Sequence, residues 1–176
     1  MQVKVGDSFL ELVEGDITRQ DTDAIVNAAN QTLLGGGGVD GAIHRAAGPK
    51  LLNECRGLGG CPTGEARLTR GYNLKARYVI HTVGPIYRDG QHGEPNFLAS
   101  CYRESLKLAL ARGIKSVAFP SISTGAYGYP IRDAARLALK TVKEFLRHHP
   151  EVKLVRFVLF GRAAYEAYQA ALLELS

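Results

Sequence analysis

The chain has 176 residues, 45% of them hydrophobic, which suits one domain with its own core better than two. Its three cysteines, Cys55, Cys61 and Cys101, include no CxxC pair and are odd in number, which argues against a disulfide framework and for a reducing compartment. The formal net charge of +5 favours anionic partners, but the lysines and arginines are scattered, without a dense run or an aromatic-interleaved stripe; this speaks against a nucleic-acid surface and leaves room for a small phosphorylated ligand.

The N-terminal MQVKVGDSF alternates apolar and polar residues instead of placing a basic stretch before an apolar one, so no signal peptide is expected. No apolar run approaches the ~18 residues of a membrane span, and the expectation is a soluble, cytoplasmic protein. Residues 2–5 and 9–13 alternate on either side of Gly6-Asp7 and predict two strands. The short apolar run at 23–28 (DAIVNA) predicts a buried strand, followed by four glycines at 35–38. Residues 39–47 carry Val39, Ala42, Ile43, Ala46 and Ala47 at helical spacing, and Gly48-Pro49 stops that helix; a second short helix is expected at 49–55 and a loop at 57–60.

Strands are predicted at 66–72 and 78–83, then an exposed polar loop at 87–94. An amphipathic helix follows at 95–112, with Phe97, Leu98, Cys101, Leu106, Ala109 and Leu110 expected to face inward and Gly113 as its cap. A buried strand is expected at 116–120, a Ser/Thr/Gly loop at 121–129, a helix at 131–148 just after Pro130, a strand at 152–160 and a last helix at 162–175. Strands alternating with helices predict an α/β fold with much parallel pairing and helices on both faces, and ligands in such folds bind beyond the carboxyl ends of the strands. Both glycine-rich loops fall at that edge.

The first loop, LLGGGGVDGAIHRAAG (33–48), runs directly into a helix bearing Asp40 and His44 one turn apart. Successive backbone N–H groups followed by a helix start make an anion cradle, and glycine allows a ligand to approach the backbone. Neither a GxxxxGK[ST] loop nor a GxGxxG opening in a dinucleotide-binding context is present. The second loop, PSISTGAYGYP (120–130), reads as another phosphate-contacting loop or as an ordinary strand-to-helix turn, and by itself the ordinary turn is the stronger reading. Asp16, in GDIT, reads as an acceptor for an exocyclic amine or as an N-cap. In VNAAN, Asn27 suits bracing of backbone, and Asn30 is better placed to meet a sugar hydroxyl. His44 reads equally as an orienting group for Asp40 or as a packing residue. His81 reads as structural, and His92, His148 and His149 as surface residues. No His/Cys/Asp spacing suggests zinc, and no cysteine is read as a nucleophile.

The blocks GDIT, DAIVNAAN, LLGGGGVDGAIHRAAG, CPTGEA, YVIHTVGP and FPSISTGAYGYP, in this order, resemble the MacroD subfamily of macrodomains from residue 15 to about 168. The resemblance implies a single macrodomain over 1–176: an α/β fold, a three-layer α/β/α sandwich around a mixed six-stranded sheet. It implies ADP-ribose as ligand, with Asp16 on the adenine amino group, Ile17 beside the ring and Phe160 lining that end. Gly36, Gly37, Gly38 and Val39 would grip the diphosphate from one side, and Ser123, Thr124, Gly125, Ala126 and Tyr127 from the other, with Ser121 also in the binding loop. Asn30 and Asp40 would face the distal ribose, with His44 as the third catalytic candidate and Tyr127 lying over the sugar. The implied activity is hydrolysis of O-acetyl-ADP-ribose and removal of mono-ADP-ribose from acidic side chains, by water held between the diphosphate and Asp40, with no metal and no cofactor. The implied partners are ADP-ribose derivatives or mono-ADP-ribosylated proteins; the residue pattern itself predicts no nucleic-acid or membrane partner and, with no long apolar stripe left over after core assignment, a monomer. The alternative is a non-catalytic ADP-ribose reader; an RNA-binding or phosphoesterase role has only the basic pI behind it. Departures from the family pattern are Ser121 where Cys is frequent, Gly161 where an acid is common, and Ala126-Tyr127 in place of a bulkier residue followed by Phe.

Overall fold

A computed structural model describes residues 1–175. In chain order the elements are β1 (Gln2–Val5), β2 (Ser8–Glu14), a single 3-10 turn (Ile17–Arg19), β3 (Ala24–Ala29), α1 (Gly38–Ala47), α2 (Pro49–Arg56), β4 (Ala66–Arg70), β5 (Tyr78–Val83), α3 (Glu94–Ala111), β6 (Ser116–Phe119), α4 (Ile131–His148), β7 (Leu154–Leu159) and α5 (Arg162–Glu174). The strands form one mixed sheet in the order β1-β2-β7-β6-β3-β5-β4. Its five inner strands pair in parallel, and β1 and β4 are antiparallel edges. The sheet therefore has seven strands rather than six. All seven are strands that the residue pattern predicts, and the first, β1, registers against β2 from Gln2↔Glu11 to Val5↔Ser8.

Alternation along the inner strands divides the core into two layers. On β3, Ala24 and Val26 face a cluster shared with α3, α4 and α5, while Ile25 and Ala29 face a cluster shared with α1 and α2. The first layer is built on the aromatic side chains of Tyr102, Phe119, Phe157 and Tyr168, whose neighbouring ring centroids lie 5.0–5.8 Å apart. The second is aliphatic, with Leu33, Ile43, Leu51 and Val79 fully buried.

One inward assignment fails. Phe97 is 43% exposed, because the buried stripe of α3 runs through Leu98, Cys101, Tyr102, Leu106 and Ala109, and Phe97 sits to one side of it, against Gly64 and Gly93. Leu110 is half-buried and packs against the core as expected. The 87–94 loop also departs from a plain exposed loop. Glu94 is buried, and its carboxylate accepts N–H bonds from Arg88, Asp89, Gly90 and His92. Burial pushes this carboxyl up, but those backbone donors outweigh it and hold it at about 2.

The topology opens a cleft at one place. After β3 the chain turns onto the face carrying α1, and after β6 it turns onto the opposite face, toward α4. β3 and β6 pair only at Ala24↔Val117 and Ile25↔Ala118, whereas β3 stays in register with β5 from Ala24↔Tyr78 to Ala29↔Val83. The two glycine-rich loops diverge from that separation, at the switch point where α/β sheets bind ligands.

Candidate active site

The cleft between the loops is a cavity of about 340 Å³ lined by Ala28, Ala29, Asn30, Gly36, Gly37, Gly38, Val39, Asp40, Gly84, Ser121, Ile122, Ser123, Gly125, Ala126 and Tyr127. Of the site residues read from the sequence, Asn30, Asp40, Gly36, Gly37, Gly38, Val39, Ser121, Ser123, Gly125, Ala126 and Tyr127 meet here. His44, Thr124, Asp16, Ile17 and Phe160 lie outside the lining.

The first loop reaches α1 by way of backbone that only small residues adopt easily. Gly35 and Gly38 have φ of 94° and 57°, in the left-handed region. Gly37 is the N-cap of α1 and has no side chain to cap the helix end, and residues 36–40 at that end line the cavity. Asn30 holds the loop's entrance. Its Oδ1 accepts from Thr32 N–H (3.2 Å), Thr32 Oγ1 (2.6 Å) and Leu33 N–H (3.2 Å), and its Nδ2 donates to the Gly35 carbonyl (3.0 Å). One amide hydrogen is then left for a ligand. A Cβ on Gly36 would stand 3.2 Å from Asp40 Oδ2 and 3.4 Å from Asn30 Nδ2, so the carboxylate and the amide meet over a glycine.

Asp40 is 5% exposed and lies in the first turn of α1. Burial raises its carboxyl above the usual aspartate range, against the opposing pull of the Asn27 amide and the nearby His44. His44 lies one turn on, with Nε2 3.4 Å from Asp40 Oδ1. Although close, Nε2 makes no hydrogen bond to that oxygen or to any other described atom.

The second loop is fixed from behind. Ser123 takes φ of 66°, held by its Oγ donating to the Pro85 carbonyl (2.8 Å) and by Tyr129 N–H donating to its own carbonyl (2.9 Å). Its hydroxyl is thus spent on the scaffold, while the residue itself lines the cleft. Thr124 Oγ1 donates to Ser121 Oγ (2.8 Å), which also accepts from the Tyr168 hydroxyl (2.8 Å). Ile122 N–H donates to Tyr102 Oη (3.3 Å). These anchors, together with Ala28, Ala29, Gly84 and Ile122, were not read from the sequence. Most are ordinary core or strand-end residues whose role depends on which loop lies opposite.

Asp16 caps the 3-10 turn, accepting from Thr18 N–H (2.9 Å) and Thr18 Oγ1 (2.7 Å). Those bonds hold its carboxyl below the ordinary value. The N-cap reading is therefore realised, and the side chain, 49% exposed, has its other oxygen 3.7 Å from Arg19 Nε. Phe160 is 88% exposed and comes off the end of β7, beside the end of β2 in register Glu14↔Leu159. Asp16 and Phe160 thus share the carboxyl edge of the sheet with the cavity, Phe160 one strand and Asp16 two strands from β6.

Asp89, His92 and Glu94 bring ligand-type atoms within 4.8 Å of one another. Both carboxylates are already taken by the loop's own donors, since Asp89 Oδ1 accepts from Gln91 N–H and lies 2.8 Å from His92 Nδ1. The cluster braces the 87–94 loop. No helix of the described residues is long and apolar enough to cross a membrane.

Fold and cleft together define an α/β/α domain that binds at the carboxyl edge of a parallel sheet, between two backbone-lined loops, with a buried carboxylate at one end. The Macro domain family model matches residues 26–138, and the chain belongs to the macrodomain family. It is 58% identical over 164 residues to a Macro domain-containing protein of Chlorobaculum tepidum, covering 93% of this chain and 95% of that one. It is 57% identical over 164 residues to the human ADP-ribose glycohydrolase MACROD2, covering 91% of this chain and 38% of that longer protein. A solved mutant of the Oceanobacillus iheyensis macrodomain with ADPR superposes with a TM-score of 0.96 at 48% identity, covering 99% of this chain and 97% of that one.

Proposed function

We propose that this macrodomain binds ADP-ribose across the strand ends and hydrolyses an ester at its distal ribose. The observation that carries the reading is the meeting of a buried carboxylate, Asp40, with the Asn30 amide over Gly36, at the end of a cleft otherwise lined by backbone and small side chains. The Gly36–Val39 backbone and the 123–127 loop would hold the diphosphate from two sides by N–H donation. Asp16 would accept from the adenine amino group, with Ile17 beside the ring and Phe160 against it. Tyr127 would lie over the distal ribose.

In this reading, water held between the diphosphate and Asp40 attacks the ester carbonyl. The acyl C–O bond breaks, the acid departs, and the ribose oxygen takes up a proton. Asp40 accepts the water's proton or orients the water; a carboxyl raised toward neutrality by burial suits proton acceptance. The ligand's own phosphate charge stands beside the reacting atoms, and no metal or cofactor enters the reading. Support comes from the ADPR held by the Oceanobacillus relative and from the glycohydrolase name of the human one. The acyl group removed is either a small acetyl ester or an acidic side chain of a modified protein.

The test is turnover of O-acetyl-ADP-ribose and of a protein mono-ADP-ribosylated on glutamate. Asn30→Ala and Asp40→Ala are each expected to lose most turnover, with Asp40→Ala keeping measurable ADP-ribose binding. Equal rates for the wild type and the double variant would leave a non-catalytic reader. Calorimetry with ADP-ribose is expected to show Asp16→Ala weakening binding by about 1–3 kcal/mol.

A further inference from the structure

Behind Asp40, a chain of polar side chains crosses the sheet on the face that α1 and α2 cover. Asn27 and His81 are register partners on β3 and β5, and Thr69 is on the neighbouring strand β4. Asn27 Nδ2 lies 2.9 Å from Asp40 Oδ1 and 3.0 Å from His81 Nδ1, and His81 Nε2 lies 2.9 Å from Thr69 Oγ1. Asn27 and His81 are fully buried, and Thr69 is 2% exposed. The amide spends its nitrogen twice and leaves Oδ1 without a partner among the described residues. A buried asparagine that served only as filler would be expected to use both ends. Here the arrangement gives up one acceptor in order to present a donor to the carboxylate.

We propose that His81 is a positioning residue that acts through Asn27 to hold the Asp40 carboxylate, with Thr69 selecting the imidazole tautomer that makes this possible. The inference rests on the role given to Asp40 above. An amide nitrogen only donates, so His81 Nδ1 must accept and its proton must sit on Nε2, where Thr69 Oγ1 accepts it. The opposite tautomer, with hydrogen on Nδ1, requires Asn27 to turn its carbonyl toward His81, and the same rotation turns that carbonyl toward Asp40. A carbonyl oxygen facing a carboxylate disfavours the ionised form. Burial, and then nearby His44, push the His81 imidazolium down to about 3, so the ring is neutral over the working range and the tautomer is the variable that matters. The groups facing this chain are His44 on α1, 3.4 Å from Asp40, and Cys55 on α2, whose Sγ lies 3.8 Å from His81 Nε2 and whose thiol is pushed up to about 11 by burial. Neither takes the place of Thr69 as the oxygen acceptor.

Thr69→Val keeps the shape of the side chain and removes that acceptor, and Thr69→Ser restores it. With O-acetyl-ADP-ribose, Thr69→Val is expected to lower kcat about tenfold and to move the acid limb of the kcat–pH profile up by about one pH unit, with the Kd for ADP-ribose within about twofold of wild type. Thr69→Ser should return both quantities to near wild type. In the unmodified protein, 15N imidazole NMR should report His81 as the neutral Nε2–H tautomer from pH 5 to 9; an Nδ1–H or charged ring overturns the proposal whether or not the variants fold. A folded Thr69→Val with unaltered kcat and acid limb, beside an inactive Asp40→Asn, overturns it while leaving the functional reading intact. Full turnover by Asp40→Asn overturns the functional reading itself.

Discussion

Asp40 and Gly41 are neighbours on α1 with opposite requirements. Asp40 places an ionisable group where burial resists its charge. A carboxyl raised by burial favours the folded state while protonated, below the ordinary aspartate range, and that advantage is lost as pH rises through its folded-state value. Asp40→Asn removes the charge and keeps the acceptor for Asn27, so it is expected to raise Tm by about 2 °C at pH 8, with the difference from wild type vanishing below pH 4; scanning calorimetry across pH checks this. A lower Tm at pH 8 would mean that Asn27 and His44 outweigh the burial cost. Gly41 is kept for space: a Cβ there would collide with the Gly36 carbonyl, in the loop that lines the cavity. Gly41→Ala is therefore expected to displace that loop and weaken ADP-ribose binding at least tenfold by calorimetry, with a Tm loss of about 3–6 °C.

The two loops are positioned by different kinds of element. The first is continuous with α1 and braced from its own start by Asn30, so its residues stand close together in sequence and its pattern is readable there. The second depends on helices remote in sequence: Tyr168 of α5 bonds Ser121, and Tyr102 of α3 receives the Ile122 N–H. Tyr168→Phe keeps the ring against Phe157 and removes only the hydroxyl. It is expected to raise the ADP-ribose Kd about three- to tenfold, the loss of one buried hydrogen bond, without changing the strand and helix content seen by circular dichroism. An unchanged Kd would show that the loop's other anchors, at Ser123, Ile122 and Tyr129, hold it without the Tyr168 hydroxyl. The same contrast explains the misplaced Phe97. Helical spacing marks an apolar residue as a candidate for burial, but whether it is covered depends on what packs against that side of α3, and there Gly64 and Gly93 offer little surface.

For the molecule as a whole, the cleft lies between two halves of the sheet that diverge after two paired residues of β3 and β6. A ligand bridging both loops ties those halves together. At a concentration about 100 times its Kd, ADP-ribose should add about 2.7 kcal/mol to stability and raise Tm by about 5–10 °C, an effect that Asp16→Ala should shrink at the same concentration. Thermal shift with ADP-ribose, and with AMP as a shorter control, measures both. The chain by itself determined the alternation of strands and helices, the two glycine-rich loops and the carboxylate and amide beside the first, because each depends on a period or a run of neighbouring residues. Only the tertiary structure decided that β1 joins the sheet as a seventh strand, that Ser123 and Glu94 spend their side chains on scaffold, and that Thr69, His81 and Asn27 line up behind Asp40. Those relations join residues far apart in sequence, and strand pairing creates them, which no local spacing records.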